Sequence, residues 1–248
     1  MDPDVTVDLE CVPRHEPPLI VLTVGGELNL ASAPRLRSAI LKCLADQPTA
    51  IIVDAAALVV ADDIHLTVFI ALARQAAAWP SIPILVCAPP PEVAAALSRL
   101  GIDRHVIICA SVREGRLRAA RQELPPTLRD ELLPVVGSVR AARRLVEDAC
   151  RRWCLPHLAP PAGLVVTELV ANAVRHAGTS IELLVTRTGR YLHLAVRDLQ
   201  PRLARLVGPA AEDQPGGRGL LIVEAIATHW GCIPTHDGKV TWASLAVR

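Results

Sequence analysis

The sequence predicts two α/β units in tandem: a mixed sheet with helices in the first half, and an α/β sandwich in the second. Three observations predict this. Strand-like and helix-like segments alternate from the N-terminus to about Arg118, the pattern of a sheet with helices packed on it. Glu123-Leu-Pro125-Pro126-Thr127 then interrupts it, since proline lacks the N–H that a helix or an inner strand needs. Beyond this break come a long amphipathic helix, an alternating strand and a glycine-rich turn, in that order. The expected division is 1–122, a linker over 123–131, and 132–248.

In the first half, Val5 to Val12 and Leu19 to Val24 read as strands, with Gly25-Gly26 as a turn and a second and third strand within Leu19–Asn29. Ser32 is placed to cap a helix through Pro34 to Leu44. Ala50 to Asp54 is apolar enough for a buried strand, and Asp62 is placed to cap the apolar helix that ends near Trp79. Strand Ile82–Cys87, helix Pro91–Leu100 stopped by Gly101, strand His105–Cys109 and helix Val112–Gln122 complete the series.

The second half opens with a helix from Ser138 to Trp153. Its Arg140, Arg143 and Arg144 read first as a solvated face. The ten residues Glu168-Leu-Val-Ala-Asn172-Ala-Val-Arg175-His176-Ala177 carry the chemistry. Glu168 and Asn172 are i and i+4, so they share a helix face, and Arg175 and His176 follow one turn later. Leu169, Val170, Ala173 and Val174 lie opposite and face a core. An Asn within a helix is mildly unfavourable by propensity, which points to a task. A carboxyl group to orient a hydroxyl and an amide oxygen to hold a hard cation beside phosphates is a task that fits. Thr179–Thr188 and Arg190–Asp198 read as a hairpin around Gly189, the second strand carrying the alternation Tyr191-Leu-His-Leu-Ala-Val196. Pro215-Gly216-Gly217-Arg218-Gly219-Leu220 is a glycine-rich turn opening an apolar helix, where backbone N–H groups approach phosphate oxygens.

Composition narrows the class. Hydrophobic residues make up 51% of 248 residues but aromatic ones only 2%, so the cores are aliphatic. A formal net charge of +1 gives no electrostatic case for nucleic acid. No apolar run is long enough to span a bilayer, since Asp54, Asp62 and Asp63 interrupt the most hydrophobic stretch. Seven scattered cysteines suit a reducing cytosol, and the acidic, proline-containing N-terminus is unlike a signal peptide. Cys150 and Cys154, one helical turn apart, lack the further ligands that zinc requires.

The order of Glu/Asn helix, strand ending in Asp198 and glycine-rich helix start resembles the GHKL (Bergerat) ATP-binding fold of gyrase-type ATPases, heat-shock chaperones, histidine kinases and anti-sigma serine kinases. Trp230-Gly231…Asp237-Gly238-Lys239-Val240-Thr241-Trp242-Ala243 is similar to the actinobacterial anti-sigma-factor branch. The resemblance implies ATP and Mg2+ as cofactors and assigns roles. Glu168 is the general base or water-orienting group, Asn172 the Mg2+ ligand, and Arg175 the basic position facing the phosphates. Asp198 accepts from the adenine amino group, Gly217, Gly219 and Leu220 belong to the loop closing over the phosphates, and 199–214 is a short ATP lid. The chain departs from the family twice. Gln200 stands where a glycine is usual, and Val240 displaces the threonine usual after Gly-Lys, leaving Thr241 one place later. In a strand that shift turns the hydroxyl to the other face.

The first half resembles a STAS domain, the anti-sigma-antagonist module, centred on Ile51-Ile-Val-Asp54 and Asp62-Asp63-Ile64-His65-Leu66. The resemblance places the antagonist's phosphoacceptor serine at Asp63, so the acceptor is degenerate here, and Ile64 and His65 replace the small residues after it. A carboxylate at a helix start either mimics a phosphoserine in part, with one charge where phosphate has nearly two, or is an ordinary N-cap pair.

Together these features predict a cytoplasmic partner-switching regulator: an ATP-dependent serine/threonine kinase fused to a degenerate antagonist, with STAS antagonists or a sigma factor as partners. A homodimer through the second half is a further implication of the resemblance. The competing expectation is a non-catalytic module that only binds sigma factor or antagonist partners, in which ATP, if bound at all, only orders the lid. A histidine kinase fits less well, because no dimerisation helix with a phosphoacceptor histidine precedes the second half. A small-molecule enzyme on the first half fits least, because Asp62, Asp63 and His65 have no partner base.

Overall fold

The computed structural model describes residues 8–201 and 219–247. The chain divides into two compact units, Met1–Leu124 and Pro125–Arg248.

In the first unit, five strands lie side by side in chain order: β1 (Glu10–Glu16), β2 (Leu19–Leu28), β3 (Ala50–Val60), β4 (Ile84–Cys87) and β5 (Ile107–Cys109). β1 is antiparallel to β2, and the remaining pairs are parallel. Parallel neighbours need crossovers, which α1 (Ala33–Ala45), α2 (Val68–Ala78) and α3 (Pro91–Arg99) supply; α4 (Val112–Ala120) follows β5. Successive residues of β3 point to opposite faces. Ile51 and Val53 join Leu22, Leu36, Ile40, Phe69 and Leu97 in the larger core, while Ile52 packs with Val21, Leu85, Cys87 and Ala119 of α4. α4 approaches the sheet closely because residue 115 is glycine; a Cβ there would lie 2.5 Å from Cys87 Sγ. Burial pushes the Cys87 thiol up to about 12, so it serves as a core atom. Ser111 caps α4, its Oγ accepting from Glu114 N at 3.1 Å, while Glu114 Oε2 accepts from Ala110 N at 2.9 Å.

Several local expectations are corrected. The first strand begins at Glu10, and Val5 to Val7 lie outside the described residues. Gly25-Gly26 makes no turn: Leu19 to Leu28 is one strand, with a register shift against β3 between Thr23 and Gly25. The glycines are tolerated because β3 presents Ala57 there, 3.4 Å from where a Cβ of residue 25 would lie. Ser32 precedes α1 but does not cap it. Its αR backbone turns Oγ back to donate to Glu27 O at 2.8 Å, and Asn29 Oδ1 accepts from Ala31 N and Ser32 N instead. Asp62 caps a five-residue 3-10 turn, Asp63–Thr67, rather than the α-helix, which starts only at Val68.

The second unit has an all-antiparallel sheet ordered β6-β7-β8-β10-β9. Its strands are β6 (Thr127–Leu132), β7 (Ile181–Arg187), β8 (Tyr191–Asp198), β9 (His229–Pro234) and β10 (Lys239–Ala246). Residues 127–131, within the segment read as a linker, pair with β7 along their whole length together with Leu132. α5 (Gly137–Arg152) and α6 (Ala159–His176) pack on one face, and α7 (Gly219–Ile226) packs on α6. α6 begins with Pro160-Pro161, where proline's missing N–H costs nothing. Ala142, Val146, Val166, Leu169, Val170 and Ala173 meet Leu183, Leu194, Val196 and Ala243 in the core. The stripe read from the sequence on α6 is thus the buried one. Residues 202–214 of the lid, and Gly217, lie outside the described residues.

Candidate functional site

α6 holds the polar stripe because its apolar stripe is fixed against the sheet. With Leu169, Val170 and Ala173 buried, Glu168 and Asn172 are carried to the margin of that face, half-buried, and Arg175 is exposed at the last turn. Among the described residues, the side chains of Glu168, Asn172 and Arg175 make no hydrogen bond or ion pair. A carboxylate, an amide and a guanidinium on one helix, all uncommitted, present an acceptor, an amide with both polarities and a fork of donors. Gly219, the first residue of α7, lies against this stripe: a Cβ on it would come 2.5 Å from Glu168 Oε2. The last glycine of the glycine-rich turn and the helix carboxylate are therefore neighbours. Leu220 follows on α7, half-buried, and Val223 enters the core one turn later.

Asp198 sits at the end of β8 with a different environment. It is directly opposite Lys239 in the β8/β10 register, and the two side chains form a buried ion pair, Nζ to Oδ1 at 2.8 Å. The same Oδ1 accepts from Gln200 N at 2.9 Å, and Lys239 Nζ also donates to Gln200 O at 3.0 Å. Gly238 brings the strands together here, since a Cβ at that position would lie 2.0 Å from the Asp198 carbonyl oxygen. Thr241 lies opposite Val196, a core residue of β8, so it shares the face of Asp198 and Lys239. Val240 points to the other face, the one-residue shift expected from the sequence, and Thr241 is buried with Oγ1 donating to Cys232 Sγ at 3.5 Å.

The residues thus fit a magnesium–nucleotide group unevenly. The chemistry of Glu168, Asn172 and Arg175 suits a hard cation and phosphate oxygens, and none of the three is engaged elsewhere among the described residues. The carboxylate assigned to the base is engaged by Lys239. Lys239 was not singled out in the sequence. The available signal was a lysine in a chain with only one other, Lys42, placed in a mostly apolar strand.

In the first unit, the carboxylate of Asp63 forms an ion pair with Arg99 at the end of α3, and both side chains are partly exposed. Asp62 Oδ1 accepts from Ile64 N at 3.0 Å and Thr67 Oγ1 donates to Ile64 O at 2.6 Å. Nδ1 of His65 is buried without a hydrogen-bond partner. On α5, Arg143 pairs with Glu147 at 3.4 Å and lies across Gly163 of α6. Cys150 is buried and Cys154 exposed. No group of three or more potential metal-ligating His, Cys, Asp or Glu residues occurs among the described residues. Nor is any described helix long and apolar enough to cross a membrane.

The first unit is thus a mixed sheet crossed by helices, and the second an antiparallel sheet backed by helices. Residues 7–115 match the family model of the STAS domain, and residues 134–245 match that of the histidine kinase-like ATPase domain. The chain carries these two domains. Among solved structures, an anti-sigma factor antagonist from Mycobacterium paratuberculosis is 19% identical, with 46% of this chain and 95% of that one covered and a TM-score of 0.41. The anti-sigma factor antagonist SpoIIAA in its unphosphorylated form is 17% identical, covering 46% and 99% of the two chains with a TM-score of 0.39. A form of RsbS from Moorella thermoacetica is 20% identical, covering 44% and 94% with a TM-score of 0.39. Comparison with curated proteins gives no match.

Proposed function

We propose that the protein is a cytoplasmic partner-switching regulator whose second unit binds ATP with Mg2+ and transfers a phosphoryl group to a serine or threonine of a STAS-type partner. The observation that carries this reading is the uncommitted stripe of Glu168, Asn172 and Arg175 with Gly219 against it. Asn172 Oδ1 would take the metal and Arg175 would face phosphate oxygens. Magnesium, when bound, neutralises charge on the phosphates. Glu168 would accept a hydrogen bond from the partner's hydroxyl and take up its proton as that oxygen bonds to the γ-phosphorus, while the bond from this phosphorus to the bridging oxygen breaks and ADP leaves. The acceptor belongs to another molecule, because Asp63 has no hydroxyl to offer. A sigma factor or a STAS antagonist is the partner class, and the second unit is the part that would pair with a second copy.

The Lys239–Asp198 ion pair favours a second reading. In that reading the unit is a binding module without turnover. Calorimetry with ATP, with and without Mg2+, followed by incubation with labelled ATP and a panel of STAS proteins, separates the two. Mg2+-dependent binding with transfer supports the kinase, and binding without transfer supports the module. No binding refutes the kinase and leaves a module that acts through its protein partners alone. Phosphate found within residues 62–67 of this chain would refute transfer to another molecule.

A further inference from the structure

We infer that Lys239 sets base selectivity in the second unit by cancelling a preference for adenine, an inference that rests on the nucleotide reading above. The two partners face each other across β8 and β10, the ammonium 2.8 Å from Asp198 Oδ1, with the side chains only 5% and 3% exposed. Gln200 closes the arrangement from both sides, its N–H donating to the same oxygen and its carbonyl accepting from Nζ. Gly238, packed against the Asp198 carbonyl, leaves β10 no room to carry Lys239 elsewhere along the pair. The ion pair is therefore a built part of the sheet's end.

A carboxylate that recognises an adenine amino group must present lone pairs to a donor. An ammonium has three N–H groups and no acceptor. Adenine's exocyclic amino group thus meets a second donor beside a carboxylate already neutralised. Guanine carries a carbonyl acceptor at that position of the ring, which an ammonium does not oppose. An amine that displaced Lys239 would leave its buried charge with the Gln200 carbonyl alone, a costly outcome for a desolvated cation. Binding then draws on the Glu168, Asn172 and Arg175 end, which contacts phosphates common to all nucleoside triphosphates.

The test is calorimetry of the full chain with Mg2+ and either ATP or GTP, comparing wild type, Lys239→Met and the double variant Lys239→Met with Asp198→Asn. Wild type should bind ATP no more tightly than GTP. Lys239→Met should bind ATP at least about tenfold more tightly than GTP, because Asp198 becomes an uncompensated acceptor. The double variant, neutral at both positions, should return to a ratio of about one. A wild type that prefers ATP by tenfold or more overturns the inference, as does a folded Lys239→Met with an unchanged ratio. If Lys239→Met fails to fold, the wild-type ratio decides alone. Binding of both triphosphates without the expected shift removes Lys239 and leaves the nucleotide reading standing. A wild type that binds neither overturns that reading, and the inference with it.

Discussion

Gly219 lies directly against Glu168, so that a Cβ on residue 219 would come 2.5 Å from Oε2 of the carboxylate and 3.7 Å from its Cβ. The neighbour at the shortest distance is the far end of a flexible side chain, which can rotate away. Gly219→Ala should therefore shift Tm by only a few degrees, alanine being the better helix former. Phosphoryl transfer, which needs Glu168 in place, should fall about ten- to a hundredfold. Thermal melting beside a transfer assay checks both. Loss of stability with transfer unchanged would mean that the contact is structural only.

Gly238 presents the opposite case, because what a Cβ there would meet is backbone. The Asp198 carbonyl oxygen would be 2.0 Å away and Leu199 Cα 2.6 Å. Neither atom can move without parting β8 from β10. Gly238→Ala should destabilise the second unit by about 1–3 kcal/mol or more. Hydrogen exchange should rise throughout β8 and β10 and remain unchanged in β2 and β3.

His193 gives a pH dependence of defined sign. Its ring is buried, with Nδ1 2.7 Å from Ser244 Oγ. Burial first, and the His229 imidazole second, pull its pKa from 6.5 down to about 4. The unfolded chain binds the proton more readily than the folded one, so this contribution is complete above pH 6.5 and is lost as pH falls toward 4. The full effect is about 3 kcal/mol. His193→Gln should flatten this part of the stability profile relative to wild type. Urea unfolding at pH 7 and pH 4.5 reports the difference, and parallel profiles would contradict the assignment.

The Asp63–Arg99 pair joins the 3-10 turn to α3 at the surface, with side chains 46% and 60% exposed. Solvent screens such a pair, and its contribution is about 0–1 kcal/mol. Asp63→Asn and Arg99→Ala should each leave the first unit's stability nearly unchanged. If Asp63 acts as a partial phosphoserine mimic, Asp63→Ser with Ile64→Ser and His65→Gly should alter crosslinking between the two units. Unchanged crosslinking would leave Asp63 as an ordinary surface partner of Arg99 next to the Asp62 cap.

The parts of this protein legible in its sequence were those whose signal is local. α6 declared itself because its 3.6-residue period is written in consecutive residues, and β8 because Tyr191 to Asp198 alternates. The parts that were not legible depend on distant partners. Gly25-Gly26 reads as a turn until β3 supplies Ala57 as a small neighbour. Thr127 to Leu132 is half charged and reads as a linker, since an edge strand with polar side chains becomes a strand only when β7 pairs with it. The Asp198–Lys239 contact needs the β8/β10 register, which no spacing within either strand discloses. The polar stripe of Glu168, Asn172 and Arg175 was therefore readable, and the engagement of Asp198 by Lys239 was not.

The long separation between β6 and β7 also governs how the chain emerges from a ribosome. Every parallel pair of the first sheet is complete once Cys109 has been made, and α4 follows within a dozen residues. β6 is synthesised next, but its partner among the described residues is about 50 residues further on, beyond α5 and α6. At about 5–20 residues per second that is a delay of roughly 2–10 s. During it the strand's backbone donors and acceptors are open to any other strand that passes. Its sequence, Thr-Leu-Arg-Asp-Glu-Leu, meets that exposure with three consecutive charges, a composition that disfavours pairing with a neighbouring nascent chain.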